Sequence, residues 1–449
     1  MKGSPLDEKP MNPAQILVLG FSTIIFLGMV FLNLPIATAS LKSPGLTDAL
    51  FTATSAVCVT GLVVADTGTY WSPFGQGVIL LLIQIGGIGF MSMATFWALL
   101  IGRKIGLKNR MIMQEAFNQS SLSGIVRLVK YVLILTLVVE GIGALLLSGF
   151  FIPLYGVGKG ILFSIFHSVS AYCNAGFDLI GGFRSFTPFV GSPYLNFVIL
   201  TLLILGGLGF SVVVELLGLP KSHRISFHSK VVLSVTGLLL GLGFIVILAL
   251  EYHNPATLGD LNFGQKILAA FFQSATPRTA GFNTVDTGGL RDATKFFVIM
   301  LMFIGGSPGS TAGGIKTTTL AIILLSVKTI VMGQRDTVIF KKRIRSEAMS
   351  RAFVIFTVSL MLVMLMVLLI GLVSPEHEFL DVLFETVSAF GTVGLSAGIT
   401  PELSTIGKLL VVLTMFAGRV GPLTLVVALA HRRKRIEPIR FPEDKISVG

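Results

Sequence analysis

Charged residues are scarce in this sequence. Asp, Glu, Lys and Arg make up only 12% of the 449 residues, while 53% are hydrophobic. Ordinary soluble domains carry roughly 25% charged residues. A chain with so little charge cannot cover a fold that meets water on every side. The composition therefore excludes an ordinary soluble domain and predicts an integral membrane protein.

Cysteine and histidine are also rare. The two cysteines, Cys58 and Cys173, cannot form the disulfide framework of a small secreted protein. The six histidines are scattered, and none is paired with acidic residues at the spacing of metal ligands. A membrane-embedded enzyme would need a metal set or a nucleophile with its base. No catalytic residue is therefore predicted.

The net charge of +12 has a membrane explanation. The basic residues do not form one face or stripe, which argues against nucleic-acid binding. They cluster between apolar runs, at 103–130, at 328–351 and from 431 onward. Cytoplasmic segments of polytopic membrane proteins carry such an excess of Lys and Arg. We therefore expect a multi-pass protein with both termini in the cytoplasm.

One sequence pattern occurs four times. Each copy reads Ser-Ala, a few residues, glycine, then Leu or Phe; the glycines are Gly61, Gly176, Gly281 and Gly394, spaced 115, 105 and 113 residues apart. A short apolar stretch precedes each glycine, and a long apolar run stands on either side. A bilayer needs about 20 residues of helix, so the short stretches cannot cross it. Regular repetition of this kind indicates a repeat architecture.

The predicted fold is an all-α integral membrane protein, with four tandem repeats of span, pore helix, loop and span around a pseudo-fourfold central pore. The predicted short pore helices are 46–57, 161–172, 267–275 and 380–390. The predicted segments are a cytoplasmic N-terminus at 1–12, pore repeats at 13–102, 128–217, 230–328 and 352–430, cytoplasmic linkers at 103–127, 218–229 and 329–351, and a basic cytoplasmic tail at 431–449.

The four loops predict an ion filter. Non-helical backbone at membrane depth is tolerated only where protein buries it or water lines it. Backbone carbonyls there can replace the hydration shell of a monovalent cation, and glycine permits the necessary dihedrals. The predicted filter residues are Val57, Cys58, Val59, Thr60 and Gly61; Cys173, Asn174, Ala175 and Gly176; Arg278, Thr279, Ala280 and Gly281; and Gly391, Thr392, Val393 and Gly394. The carbonyls of the four glycines are the predicted K⁺ ligands.

Only one copy matches a potassium-channel filter sequence in more than its glycine. Thr392-Val393-Gly394 corresponds to the start of that sequence, so discrimination against Na⁺ is expected to be looser than in a channel. The alternative is that the glycines merely allow close helix packing. Four evenly spaced copies, each after a short helix, favour the filter. The cysteines and the serines before the glycines are interpreted as packing and capping residues.

The second span of the third repeat contains the predicted gate. Five glycines and one proline make a continuous helix improbable there. The predicted gate residues are Gly305, Gly306, Ser307, Pro308, Gly309, Ser310, Thr311, Ala312, Gly313, Gly314, Lys316 and Arg419. Glycines at intervals of four would also suit helix packing, but the proline favours a break. A phosphate-binding loop is not predicted, because Ile315 separates the glycines from Lys316.

Arg419 is a charge within an otherwise apolar span. Such charges are costly and usually face a cavity or a partner. We expect Arg419 to lie in the pore below the filter, near the 305–314 loop, as a positive barrier. The alternative is a static ion pair with Glu140 or Glu215.

These features together resemble the Trk/Ktr/HKT superfamily of cation transporters, and within it the membrane subunits of bacterial Ktr systems. The resemblance covers residues 13–430 and includes Pro277-Arg278-Thr279-Ala280-Gly281-Phe282 and the glycine-rich inner span. It implies potassium uptake, often sodium-dependent, by a homodimer in a bacterial cell membrane. It also implies a cytosolic octameric ring of RCK-type nucleotide-binding regulatory subunits.

The resemblance therefore predicts K⁺ and possibly Na⁺ as transported ions, with ATP or ADP only on the regulatory partner and no covalently bound cofactor. Expected contacts are lipid and the second protomer, with no nucleic acid. A less selective Na⁺/K⁺ transporter stays open as an alternative. So does an alternating-access carrier for another small solute, although carriers commonly show inverted repeats and these four copies share one orientation.

Overall fold

The computed structural model describes residues 12–89, 125–222 and 225–429, with the isolated positions 106, 111 and 114. Within these ranges the protein is mostly helical, as predicted. Residues 1–11 of the predicted N-terminal segment, the C-terminal tail, residues 90–102 of predicted pore repeat 1 and most of the 103–127 linker lie outside the described residues. A two-stranded hairpin, β1 (Val338–Ile339) and β2 (Lys342–Arg343), joins the third and fourth repeats.

Each repeat begins with a long apolar outer helix. These helices are α1 (Pro13–Leu32), α4 (Ile125–Tyr155), α8 (Phe227–Glu251) and α12 (Ser346–Val373). At about 1.5 Å per residue, each is long enough to cross the hydrocarbon of a bilayer. Mean hydropathy along them is 2.2 to 3.0. They make the chain a multi-pass membrane protein.

A short pore helix follows each outer helix. The four pore helices are α2 (Leu46–Cys58), α5 (Val157–Tyr172), α9 (Phe263–Ala275) and α13 (Phe379–Gly391). A capping box of Asn262 and Gln265 starts α9, and glycine precedes α2 and α5. With 13 to 16 residues, these helices cannot cross a bilayer. They enter it and return as loops.

The inner helices are broken more often than the sequence predicted. They are α3 (Pro73–Ile88), α6 (Pro193–Leu208) with α7 (Phe210–Ser222), α10 (Asp292–Phe303) with α11 (Thr317–Val331), and α14 (Thr405–Val420) with α15 (Pro422–Leu429). The chain bends by 108° between α6 and α7 and by 94° between α14 and α15. The predictions of continuous spans at 195–217 and 409–430 were therefore wrong.

The physical reason is glycine in a left-handed conformation. Gly209 and Gly421, at the two bends, have φ of +94° and +91°, and Gly89 after α3 has φ of +85°. An α-helix cannot continue through such a residue. The three glycines are repeat-equivalent, and α3, α6 and α14 each end directly before one of them. In repeat 3 the glycine-rich segment replaces this single glycine.

Two equivalent ion pairs fix the fourth repeat to its neighbours. Lys295 at the start of α10 lies 2.9 Å from Asp381 in α13, and Lys408 in α14 lies 2.8 Å from Asp48 in α2. Each lysine follows its repeat glycine by 14 residues, and each aspartate precedes its own by 13. All four side chains are at most 31% exposed. The pairs therefore join repeat 3 to repeat 4, and repeat 4 to repeat 1.

Candidate ion pathway

The four repeat glycines meet in a ring of backbone. An ideal Cβ added to Gly61 would lie 3.0 Å from the Cα of Gly176, and one added to Gly176 would lie 2.8 Å from the Cα of Gly281. A Cβ on Gly281 would lie 3.3 Å from the Cα of Gly394, and one on Gly394 would lie 3.0 Å from the Cα of Gly61. The ring thus follows chain order and closes. Repeats 2 and 4 face each other across it.

The same contacts place one carbonyl beside each glycine. Gly61 faces the carbonyl oxygen of Ala175, and Gly394 faces that of Thr60. The missing Cβ of Gly176 would lie 3.1 Å from the oxygen of Ala280, and that of Gly281 would lie 2.6 Å from the oxygen of Val393. In every case the oxygen belongs to the residue before the next glycine. A side chain at any of the four positions would occupy the space that these oxygens border.

The residue two positions before each glycine is strained. Val59, Asn174, Thr279 and Thr392 have φ of +58°, +58°, +71° and +50°. Positive φ is rare outside glycine and is a true outlier for β-branched Val and Thr. Such strain persists only where the surrounding structure enforces it, and it clusters at functional sites. Four copies of the outlier indicate that the loop shape is required.

Hydroxyl groups hold the loops in this shape. The Gly61 and Gly394 amides donate to the hydroxyls of Ser55 and Ser388, at 3.1 and 3.2 Å. In repeats 2 and 3, Ser170 and Thr276 instead donate to the carbonyls of Phe177 and Phe282, the residues after the glycines. The sequence interpretation of Ser55, Ser170 and Ser388 as capping residues missed this role. Their constant distance of six residues from the glycine was the available signal.

Several predicted filter residues lie outside the loops. Val57 and Cys58 form the last turn of α2, and Gly391 is the final residue of α13, because the helices extend further than predicted. The Arg278 side chain points away from the ring and donates to the hydroxyl of Thr236 in α8, at 3.2 Å. The Cys173 thiol lies 3.6 Å from the carboxylate of Glu140. The side chains of Arg278 and Cys173 therefore contact the outer helices α8 and α4.

The segment between α10 and α11, residues 304–316, is here called the crossing segment and packs against two other repeats. Its Ser307 amide donates to the carbonyl of Gly207 in α6, at 3.0 Å. A Cβ on Gly313 would lie 3.1 Å from that of Thr392, in the loop of repeat 4. The segment therefore touches repeats 2 and 4, which are opposite each other. Repeat 3 lies between these two repeats in the ring, so the segment packs against both of its neighbours.

Arg419 and Lys316 are bound to this crossing segment. The guanidinium of Arg419 donates to the carbonyls of Thr311 in the segment and Gly86 at the end of α3. Lys316 donates to the carbonyl of Ala312 at 2.6 Å. Arg419 thereby joins repeats 1, 3 and 4.

The expected alternative partners of Arg419 have other contacts. Glu140 accepts from Gln84 at 3.0 Å. Glu215 accepts from the hydroxyls of Ser226 and Ser229. The ion-pair alternative for Arg419 is therefore wrong in this structure, because main-chain carbonyls bind the guanidinium.

The arrangement suits a cation. Pore helices α2, α5, α9 and α13 all end at the ring, and the C-terminal end of a helix carries partial negative charge. Carbonyl oxygens from four loops border the space beside the glycines, and these are the ligands that potassium filters use. Just beyond the ring, the half-buried Asp178 adds a carboxyl group whose pKa burial raises to about 6. Chemically, the ring can bind a dehydrated monovalent cation.

Comparisons with known proteins give consistent matches. A family model described as TrkH, cation transport protein, matches residues 12–437. The chain is 44% identical over 438 residues to the Ktr system potassium uptake protein B of Bacillus subtilis, covering 98% of this chain and 97% of that protein. It is 43% identical over 446 residues to the potassium/sodium uptake protein NtpJ of Enterococcus hirae, covering 98% of each.

The fold also matches a solved structure. The crystal structure of the potassium transporter TrkH from Vibrio parahaemolyticus superposes with a TM-score of 0.74, covering 96% of this chain and 87% of that chain. The sequence identity of that match is 19%, so it bears on the fold alone.

Proposed function

We propose, from the premise that this chain belongs to the TrkH family of cation transport proteins, that it takes up K⁺ across a bacterial cell membrane. The family is a class of transporters and not of enzymes. The observation that carries the proposal is the closed ring of Gly61, Gly176, Gly281 and Gly394, with a carbonyl oxygen beside each glycine. Two relatives that match nearly the whole chain are named for potassium uptake.

In this proposal the ring residues named from the sequence form the filter. K⁺ loses water at the ring and is bound by main-chain oxygens, chiefly those of the residues at and just before the four glycines. Selectivity depends on oxygens held at a fixed separation, which the strained backbone and the Ser55 and Ser388 hydrogen bonds favour. Na⁺ acts as an activating or coupled ion.

A less selective Na⁺/K⁺ transporter is the second candidate. Only the fourth loop combines Thr-Val with its glycine, whereas the other three loops place Val59-Thr60, Asn174-Ala175 and Thr279-Ala280 before theirs. The Enterococcus hirae relative is named for both ions. Unequal loops form a less regular set of oxygens, which favours weaker discrimination between the two cations.

The deciding experiment is ⁸⁶Rb⁺ uptake into proteoliposomes that contain the purified chain. We expect uptake that K⁺ suppresses at much lower concentration than Na⁺, and that responds to the Na⁺ concentration. Equal suppression by K⁺ and Na⁺ would favour the less selective transporter. Absence of uptake at every Na⁺ concentration, from protein that is folded and correctly inserted, would refute cation transport by the isolated chain.

We propose that residues 305–314, with Lys316 and Arg419, form the gate. In this proposal the crossing segment lies on the axis, because Arg419 joins it to Gly86 of repeat 1, the repeat opposite its own. The basic side chains of Lys316 and Arg419 there oppose the passage of a cation. Opening requires the segment to move aside, which must break the Arg419 bonds to Thr311 and Gly86. Arg419→Ala should therefore raise the initial Rb⁺ uptake rate at unchanged protein density. Unchanged uptake in a well-folded variant would exclude the barrier.

The topology and the partners are further proposals. Both termini lie in the cytoplasm, because basic segments of multi-pass proteins stay on that side. Lys341→Cys in a chain without other cysteines tests this. The new thiol should be protected from a thiol reagent that is added outside and cannot cross the membrane. The protein is a homodimer with one pore per protomer, regulated by a cytosolic octameric RCK-type ring that carries ATP or ADP. Native mass spectrometry should show two copies of the chain, and nucleotide retention only when the ring is present.

A further inference from the structure

One position of each pore helix lies three residues before the hydroxyl residue that binds the loop, which is Ser55, Ser170, Thr276 or Ser388. The four equivalent residues at this position are Thr52, His167, Gln273 and Glu385. All are buried, His167 and Glu385 at 0% and 1% exposure. A histidine and a glutamate are unusual in the interior of a membrane protein, where ionisable groups are costly and commonly functional.

Both ionisable side chains bind the chain that leaves the ring. Nε2 of His167 accepts a hydrogen bond from the Leu179 amide, at 3.2 Å. Oε1 of Glu385 accepts one from the Ala397 amide, at 3.1 Å. Leu179 and Ala397 each lie three residues after their ring glycine. The same backbone amide is therefore bound by the same pore-helix position in repeats 2 and 4.

The remaining contacts define the chemistry of each anchor. Nδ1 of His167 lies 2.7 Å from the carbonyl of Phe163 and must donate to it, so the ring nitrogen facing Leu179 carries no proton. Glu385 also accepts from the Thr400 hydroxyl, at 2.9 Å, and from the Ser396 hydroxyl. Nε2 of His167 and the carboxyl group of Glu385 therefore both act as hydrogen-bond acceptors for the loop amides.

The other two repeats differ at this position. The buried amide of Gln273 has no hydrogen-bond partner among the described residues, and Thr52 has only a short hydroxyl. Repeats 2 and 4 face each other across the ring. The anchors thus form an opposed pair. Each binds its loop three residues after the glycine, next to the point at or just after the glycine that Ser388 or Ser170 already holds.

We infer that His167 and Glu385 are positioning residues that set the width of the ring and thereby the preference for K⁺ over Na⁺. The inference rests on the proposed cation transport. Neither side chain touches the ion; each acts through an amide three residues from a glycine of the ring. Releasing one anchor lets one wall of the ring relax, and oxygens that can approach more closely accommodate the smaller Na⁺.

The test compares Glu385→Ala and His167→Asn with the variants Glu385→Gln and His167→Gln. Each Gln keeps an acceptor oxygen within reach of the loop amide, whereas Ala and Asn do not. Thr52→Val, at the same position of repeat 1, is the matched control. We expect the Rb⁺/Na⁺ uptake ratio in proteoliposomes to fall at least about threefold in Glu385→Ala and His167→Asn. The Gln variants should recover most of it, and Thr52→Val should match wild type.

Hydrogen–deuterium exchange of the peptides containing Leu179 and Ala397 provides a readout independent of transport. Loss of the Glu385 hydrogen bond should speed exchange of the Ala397 amide about tenfold or more in Glu385→Ala. Faster exchange together with an unchanged Rb⁺/Na⁺ ratio would overturn the inference. Unchanged exchange would overturn it as well, since the anchor would not hold the loop. If wild type carries no Rb⁺, the transport proposal fails, and with it the selectivity role, while exchange still reports whether the anchors exist.

Discussion

Gly281→Ala is the most direct test of the backbone ring. The added Cβ would lie 2.6 Å from the carbonyl oxygen of Val393 and 2.8 Å from the Cα of Gly176. Protein Cβ atoms essentially never approach other heavy atoms to less than 3.0 Å, so the loops of repeats 2 and 4 must both move away. Gly281 also has φ of +76°, which costs an alanine about 1–2 kcal/mol.

The two effects give an estimate of the perturbation. Overpacking a filled interior typically costs about 1–3 kcal/mol, so the total for Gly281→Ala is about 2–5 kcal/mol. If the ring takes up this strain, ion binding should weaken at least about tenfold, since 1.4 kcal/mol is a factor of ten. The expected result is a large rise in the Rb⁺ concentration that gives half-maximal uptake, with a lower Rb⁺/Na⁺ ratio.

The matched control is Gly237→Ala in α8. Gly237 is exposed on the outer helix, and a Cβ there would meet no atom within 4 Å. Alanine favours a helix over glycine by roughly 0.5–1 kcal/mol, so Gly237→Ala should not destabilise the protein. Since its Cβ contacts nothing, the variant should transport as wild type does. The assay is initial-rate ⁸⁶Rb⁺ uptake into proteoliposomes over a range of Rb⁺ and Na⁺. Wild-type affinity and selectivity in folded Gly281→Ala would refute the ring as the ion-binding element.

Three further outcomes are expected. Ser388→Ala removes the acceptor of the Gly394 amide and should lower stability by about 1–3 kcal/mol, measured as a lower midpoint of thermal unfolding in detergent; an unchanged midpoint would contradict the contact. Lys408→Asp should lower the same midpoint, and adding Asp48→Lys should restore it, because the 2.8 Å ion pair is re-formed in reverse; no recovery would mean that the pair does not couple the repeats. Burial raises the pKa of Asp178 to about 6 from 3.8, so the folded protein binds this proton more tightly than the unfolded chain and stability should decrease as pH rises between these values. Asp178→Asn should remove that part of the pH dependence, and an unaltered slope would argue against it.

The repeat architecture could be predicted because the spacing of residues along the sequence shows it. Four glycines at nearly equal intervals, each after an apolar stretch too short to cross a bilayer, specify re-entrant loops with few alternatives. The family resemblance drawn from these residues is confirmed by the matched family model and the relatives. The filter and gate assignments themselves stay predictions until ion transport is measured.

The breaks in the inner helices were harder to foresee. Gly209 and Gly421 stand in apolar runs, where glycine is also common within membrane helices that pack closely. At Gly209 the positive φ goes with a contact to another repeat, since a Cβ there would lie 2.7 Å from the carbonyl oxygen of Pro308 in the crossing segment. Such a contact joins residues about a hundred positions apart and leaves no local signal.

The amino-acid sequence by itself determined that this chain lies in a membrane, that it repeats four times, and where its four re-entrant loops stand. These properties depend on hydrophobicity, segment length and glycine, all of which act locally. Only the tertiary structure decided which groups meet: the ring order, the carbonyl partners of Arg419, and the opposed anchors His167 and Glu385. Those contacts depend on how four similar units pack around one axis. Hydrogen bonds between the units form where atoms are close in space, whatever their separation along the chain.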